Sequence, residues 1–335
     1  MPPRVSVIMP VYNAVTYVRA ATQSILNQAF DDFEFLIFDD ASTDGSLQMV
    51  RELCASERRA MIFQSTENTG YVKHLNHGIQ IAKGEFIARM DADDVAHPDR
   101  LTKQVAFLDR NPGVGIVGSA CQIIDAQSTI VGFSARESDP AVLRFQSYFV
   151  NPFAHPTVMM RKVIADQVGD YDYSKIPSED YDYWVRAAHL TDFANLEEAL
   201  LDYRQHPESI SHTHANAQRD NSYATQREYI RQLSGLRVDD GQISFLRGFH
   251  KNAFSLPNGR YPELYENLMT IFERFKRKFR PTSRAEARIR RFLFDRLVFL
   301  FLNSDAFRGS SYLKYLLRTA AVSPRKALTL VLRRK

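Results

Sequence analysis

Three short stretches carry residue types and spacings that could do chemistry: Pro10-Val11-Tyr12-Asn13, Asp39-Asp40 and Asp91-Ala92-Asp93-Asp94. A tyrosine ring can stack on a planar base, and a carboxylate can accept a hydrogen bond from a base N–H or a ribose hydroxyl. An Asp-x-Asp segment can bring Mg²⁺ or Mn²⁺ to a diphosphate, because hard cations take oxygen ligands and keep substrate phosphates in their shell. Each stretch also has a plainer reading. Asp39-Asp40 runs into Ser42-Thr43-Asp44-Gly45, which is turn and cap chemistry, and Asp91–Asp94 precedes a helix opened by Pro98. Acids that close two strands of one sheet repel each other, however, unless a cation or a donor-rich ligand compensates.

Convergence depends on the elements that place these residues. Apolar runs at Val5–Pro10, Phe33–Phe38, Ala60–Gln64 and Phe86–Met90 read as buried strands. Amphipathic stretches at Tyr17–Asn27, from Ser46 to about Ser56, Tyr71–Ala82 and Pro98–Leu108 read as the helices between them. This β-α-β-α rhythm predicts an α/β fold with a mostly parallel sheet covered on both faces. Ligands bind such sheets beyond the carboxyl ends of the strands, where all three stretches fall. From Val114 the pattern loosens. Val114–Ile124 and Thr129–Phe133 read as strands, a short strand follows the irregular segment after Asn151, Glu179–Ala188 reads as a helix, and Asp192–Arg204 as a helix-to-strand return. Beyond His214 only helical patterns continue, so a boundary is expected near residues 213–220.

Gly113-Val114-Gly115-Ile116-Val117-Gly118 matches G-x-G-x-x-G, with Asp139 about 20 residues on. The dinucleotide fingerprint needs a strand before and a helix after. Here the glycines follow a helix and open a strand, so the match is treated as a decoy.

Composition narrows the classes further. The chain has 335 residues with 44% hydrophobic and 24% charged residues, ordinary for a globular protein of two domains or one extended α/β domain. Only Cys54 and Cys121 are present, which excludes a disulfide framework and fits a reducing compartment. No apolar run reaches the roughly 18–20 residues of a membrane span, and the start of the chain does not read as a secretion signal. A cytoplasmic protein, soluble or peripheral at the membrane, is therefore expected. The net charge of +4 divides unevenly. Residues 271–335 hold 18 of the 43 Lys/Arg and 4 of the 39 Asp/Glu, a local balance of +14 that leaves −10 for the rest. The segment interleaves Phe and Leu with Arg and Lys. That pattern suits an anionic membrane surface, packing on the body or in an oligomer, or, least well, a nucleic acid.

Taken in order, VSVIMPVYNA, FLIFDDASTDGS, ENTGYVKHLNHGIQIAKGEFIARMDADD and SEDYDYW resemble the family 2 glycosyltransferases, over about residues 4–212. The resemblance implies the GT-A fold, a Rossmann-like mixed sheet: a catalytic domain over 1–212, with a nucleotide-binding half (1–120) and an acceptor-side half (121–212), then a helical, basic region over 213–335. It implies nucleotide-sugar contacts at Pro10, Tyr12, Asp39, Asp40, Asn68, Gly70, Arg89, Asp91 and Ala92. Asp93 would bind a divalent metal, Mn²⁺ or Mg²⁺, with Asp94 assisting and His206 as a further ligand or a plain loop histidine. Asp180, or Glu179 beside it, would be the catalytic base, though acids there also suit a helix N-terminus. His155 is structural or contacts substrate; His74, His77 and His97 read as surface or capping residues. The His206, His212 and His214 group lacks zinc spacing. The implied activity is inverting transfer of a sugar from a nucleotide sugar, UDP-linked by expectation, to a hydroxyl on a glycan or lipid-linked acceptor in surface-polysaccharide synthesis. A sugar-nucleotide nucleotidyltransferase would need an N-terminal Gly-rich loop, which Pro10–Asn13 is not. A non-catalytic binding or scaffold protein predicts damaged acids, and all are present.

Overall fold

Burial on both faces makes the four N-terminal apolar runs adjacent parallel strands. In the computed structural model, which describes residues 2–209, 213–248, 261–302, 318–319 and 321–323, β1 (Val5–Val11) and β2 (Phe33–Asp39) are buried at every position. So is β4 (Phe86–Arg89). A strand covered on both sides needs no polar alternation. The helices α1 (Val18–Leu26), α2 (Ser46–Cys54) and α3 (Tyr71–Ile81) connect these strands, and β3 (Ala60–Gln64) pairs with β2 alone on this side. The parallel half of the sheet runs β3-β2-β1-β4.

Beyond β4 the sheet turns antiparallel. β6 (Val114–Ile124) and β8 (Met159–Arg161) pair with each other, and β8 closes on β4. β9 (Asp192–Arg204) runs parallel to β6, and β5 (Val95–Ala96) pairs antiparallel with β9. β7 (Ile130–Ser134) forms a hairpin with β6, off the main path. The helix-to-strand return expected over Asp192–Arg204 is instead one 13-residue strand. Its Asn195–Ala199 stretch looks helical because it holds Leu, Glu, Glu and Ala, but the register with β6 slips there and exposes Glu197 and Glu198 on a bulge.

The glycine decoy is resolved by packing. Gly115 and Gly118 lie inside β6, and a Cβ on Gly118 would come within 2.4 Å of Asn195 Oδ1 and 2.7 Å of Phe153 Cδ1. These glycines let neighbours approach, and they cradle no phosphate.

Three further helices hold the second half of this sheet region: α4 (Arg100–Arg110), α6 (Lys162–Val168) and α7 (Glu179–Ala187). Between them in sequence, α5 (Pro140–Gln146) was not expected, and its partners explain why. The chain forms two compact units, Met1–Pro140 with Asn151–Asn221, and Ala141–Val150 with Ser222–Lys335. Nearly all of α5 therefore belongs to the helical unit, together with α8 (Ala215–Ser234, from Ser222), α9 (Asp240–Gly248), α10 (Tyr261–Phe279) and α11 (Ser283–Leu302).

Within that unit, Phe145 packs against Phe272 and Phe275, with ring centroids 5.9 and 5.2 Å apart. Ile271, Phe272, Phe275, Ile289, Leu293, Phe294 and Leu297 are all buried. The apolar face of the basic segment is thus the unit's own core over its described residues, and its cations lie around that core. The rest of 271–335, most of the last thirty residues, falls outside the described residues, as does His212. No helix among the described residues is long and apolar enough to cross a membrane.

Candidate active site

At the carboxyl ends of β1 and β2, two loops are stitched together. Asn13 adopts a left-handed φ of 45° and its side-chain carbonyl accepts from Thr43 N–H at 2.9 Å, while Asn13 N–H donates to Ser42 Oγ at 3.1 Å. Pro10 is buried at the end of β1, whereas Tyr12 is 51% exposed, a free ring face at the rim. Asp39 and Asp40 are both buried but differently used. Asp40 accepts from Thr69 N–H at 2.7 Å and Gly70 N–H at 2.9 Å, and His74 Nε2 lies 2.8 Å away. Burial pushes the Asp40 carboxyl up, but the two backbone donors and His74 outweigh it and hold the group below its usual range. Asp39 accepts from Ser42 N–H, and its other oxygen is buried without a partner.

Asp40 thus braces the Asn68–Gly70 loop. Gly70 takes a φ of 86° that favours glycine, and Asn68 is exposed at the loop's tip. His74 is not the surface or capping residue expected: it is buried against Asp40 and stacks on Phe38 at 5.8 Å. Facing inward from α3, one turn after Gly70, it shares the helix face that carries Leu75 and Ile79. His97 pairs with Asp202 at 2.7 Å, and His77 is exposed.

The Asp91–Asp94 loop follows β4. One ligand oxygen from each of Asp91, Asp93 and Asp94 lies within 4.8 Å of the others. His206 reaches Asp93 Oδ2 with its Nε2 at 3.1 Å, and Tyr17 packs beside the imidazole at 5.1 Å between ring centroids. Ala92, between the acids, is buried and holds the loop against the core. Arg204, at the end of β9, braces the loop from behind: its N–H donates to Asp94 Oδ1 at 2.7 Å and its Nε to the Asp93 carbonyl at 2.7 Å. The second oxygen of Asp94 is buried without a partner. Burial and then the neighbouring acids push Asp94 well above its ordinary value, and Asp93 is also raised. Crowded carboxylates with an orphaned oxygen and an imidazole at the rim fit a hard divalent cation, which takes oxygen and imidazole ligands and lowers these pKa values on binding.

Arg89 is more central than the rim position expected for it. It is 7% exposed, and its Nη1 lies 2.5 Å from Asp91 Oδ2. Its charge also acts on Asp94, Glu179, Asp180 and Tyr71. Arg100, completely buried, donates to the Arg89 carbonyl at 2.7 Å and fixes this strand end.

The acid pair opens α7. Glu179 is 3% exposed, and Tyr71 O–H donates to its Oε1 at 2.9 Å, while Oε2 is buried without a partner. Burial first, then the Asp180 charge, raises Glu179 to about 7. Asp180 is only half-buried and both its oxygens are aimed: Asn151 Nδ2 donates to Oδ2 and Tyr181 N–H to Oδ1, each at 2.6 Å. His155 bonds Tyr171 O–H at 3.1 Å and packs on Trp184, so its role in the described contacts is structural.

A glycosyl transferase family 2 model matches residues 6–168. A Haemophilus influenzae protein named "Uncharacterized glycosyltransferase" is 32% identical over 267 residues, covering 74% of this chain and 81% of its own length. The chain belongs to glycosyl transferase family 2. The Escherichia coli O-antigen biosynthesis glycosyltransferase WbnJ is 33% identical over 211 residues, 61% of this chain and 81% of that protein.

Among solved structures, S. aureus TarS 1–349 in complex with UDP-GlcNAc overlays with a TM-score of 0.57 at 18% identity, covering 89% of this chain and 81% of that one. The mannosyltransferase PcManGT from Pyrobaculum calidifontis, in complex with GDP-Man and Mn²⁺, overlays with a TM-score of 0.52 at 17% identity, covering 98% and 88%. At these identities the structural likeness establishes the GT-A fold alone. As a family 2 glycosyltransferase, the chain positions its acids with residues that the motifs did not single out: Tyr71, His74, Asn151 and Arg204. Tyr71 directly follows Asn68-Thr69-Gly70 and Arg204 lies two residues before His206, so proximity to a motif was the one available signal.

Proposed function

We propose that this glycosyltransferase inverts the anomeric centre in a single metal-dependent displacement, moving a sugar from UDP to an acceptor hydroxyl. The observation that carries the reading is the cluster of Asp91, Asp93 and Asp94, with one ligand oxygen from each within 4.8 Å of the others and His206 Nε2 3.1 Å from Asp93. Tyr12 would stack on the base, with the open oxygen of Asp39 as acceptor and Asp40, Asn68 and Gly70 shaping the pocket. Asp93 and His206, with Asp91 and Asp94 beside them, would hold Mn²⁺ or Mg²⁺, which when bound offsets the charge of the diphosphate. Asp180 takes the acceptor proton: it is the more accessible acid, and Asn151 and the Tyr181 N–H fix its oxygens. Glu179, buried and poised near neutrality, holds a proton that leaves the pair's single negative charge on Asp180.

The nucleotide-binding half is residues 1–120 and the acceptor-side half 121–212, with the basic helices completing the chain. The acceptor is a glycan or lipid-linked glycan at the inner face of the membrane; its place in surface-polysaccharide synthesis is supported by the O-antigen biosynthesis that WbnJ is named for. The cations of 271–335 would add attraction to anionic lipid. A donor with a nucleoside diphosphate is supported by the UDP-GlcNAc and GDP-Man complexes of the two structural relatives.

The test is a panel of nucleotide sugars with and without Mn²⁺, read by thermal unfolding and by slow release of free sugar. UDP-sugars should raise Tm, and more so with Mn²⁺ present. Protection by no nucleoside diphosphate or its sugar would refute the donor site.

A further inference from the structure

Arg136 follows β7 in a stretch that is pinned on both sides of it. Before it, Ser134 pairs with Cys121 of β6. After it, the Glu137 carbonyl accepts from Asn195 Nδ2 at 3.1 Å, and Ser138 Oγ donates to Glu197 Oε1 at 3.0 Å. Arg136 itself is half-buried, and its Nε is closed off from water without a hydrogen-bond partner. The other arginines of this region, Arg89, Arg100 and Arg204, each lie against a protein oxygen. A buried donor left unmet is rare in folded proteins and calls for an acceptor from outside the chain.

The clamp that holds this stretch leads to the proposed base. The Asn195 amide that donates to the Glu137 carbonyl also donates to the Pro152 carbonyl at 3.2 Å. Asn151, one residue before Pro152, donates to Asp180 Oδ2 at 2.6 Å. Arg136 is thus next to one end of a clamp whose other end carries the brace of Asp180, and its charge acts on Asp180 and on Cys121. A guanidinium offers only donors, in a planar fork that matches phosphate and carboxylate. The substrate that comes to Asp180 is the acceptor. A negative charge on it would be repelled by that carboxylate unless a cation stood beside them. A neutral acceptor would leave the Arg136 Nε unmet.

We propose that Arg136 is an acceptor-binding residue, receiving an oxyanion, phosphate or carboxylate, that the acceptor carries near its reacting hydroxyl. The inference rests on Asp180 as the base and narrows the acceptor to an anionic one. Its test involves no sugar transfer, so it stands or falls apart from the base assignment.

The experiment titrates glycerol phosphate and glucuronate into the full chain saturated with UDP and Mg²⁺, read by thermal unfolding. Glycerol and glucose at matched ionic strength are the neutral controls. At least one of the two anions should raise the wild-type Tm beyond its control, and the one that does identifies the oxyanion. Arg136→Gln should bind that anion at least about tenfold more weakly, as for loss of a hydrogen bond to a charged group, with UDP affinity held within about twofold. Arg136→Lys keeps the charge without the fork and should fall between the two. The unliganded Tm of each variant reports its folding. No stabilisation of the wild type by either anion, or equal binding by Arg136→Gln, would overturn the proposal. So would a loss that falls on UDP instead, since the arginine would then serve the donor diphosphate. If UDP itself gives no shift, the donor site is refuted, and the same anion titration without UDP still decides Arg136.

Discussion

Glu179 and Asp180 are neighbours in sequence with the same chemistry, yet their surroundings divide the work between them. Glu179 is buried with one oxygen held by Tyr71 and rises to about 7; Asp180 is reachable and aimed by Asn151. Because folded Glu179 holds its proton more tightly than the unfolded chain, its contribution to stability falls as pH rises from about 4.5 to about 7. Tyr71 donates to the ionised carboxylate and so lowers this pKa, alongside the pull of Arg89, against burial and the Asp180 charge. Tyr71→Phe should therefore move the falling limb of the activity–pH profile, where Glu179 gives up its proton, to higher pH by about one unit, since a hydrogen bond to a charged group amounts to about 1.5 kcal/mol. An unmoved or acid-shifted limb would show that Tyr71 does not couple to the pair. None of this division is visible in the letters Glu-Asp, because burial and hydrogen-bond direction are tertiary properties.

Elements were legible in proportion to how locally they are determined. β1, β2 and β4 are continuous apolar runs because both faces are covered, and the structure keeps them within a residue or so of expectation. β9 was misread because its middle is a bulge whose Leu-Glu-Glu-Ala composition favours helix; pairing with β6 overrides that propensity. The short helices α5 and α6, seven residues each, lack the length that makes a period detectable. The G-x-G-x-x-G match shows the converse, a motif with no phosphate role. Asn195 cannot swing away from an added Cβ on Gly118, since its Nδ2 donates to the Glu137 and Pro152 carbonyls at 3.1 and 3.2 Å. Gly118→Ala should cost about 1–3 kcal/mol by overpacking, measured by denaturant unfolding with donor present and absent. A neutral substitution would contradict the packing role assigned to this strand.

At the scale of the whole molecule, the uneven charge acquires a structural meaning. The acidic body supplies the crowded carboxylates of the candidate site, and the basic segment folds its apolar face into a core of its own over the described residues, with Lys276 and Arg290 among its cations already paired to Glu273 and Glu286. The acids gather from both halves of the catalytic unit: Asp91–Asp94 follow a strand of the parallel half, and Asp180 opens a helix beyond the antiparallel one. The motifs announced this gathering, while its braces, Arg204 and Asn151, had to be seen. The two acid groups separate cleanly by function. The most direct test is Asp180→Asn assayed with UDP-sugar and Mn²⁺, reading release of sugar to water and UDP affinity on the same preparation. The account predicts a rate loss of about 10²–10⁴-fold, as for removal of a general base, with UDP affinity changed by less than about twofold. A variant that retains its rate, or that loses UDP binding in parallel, would contradict Asp180 as the base.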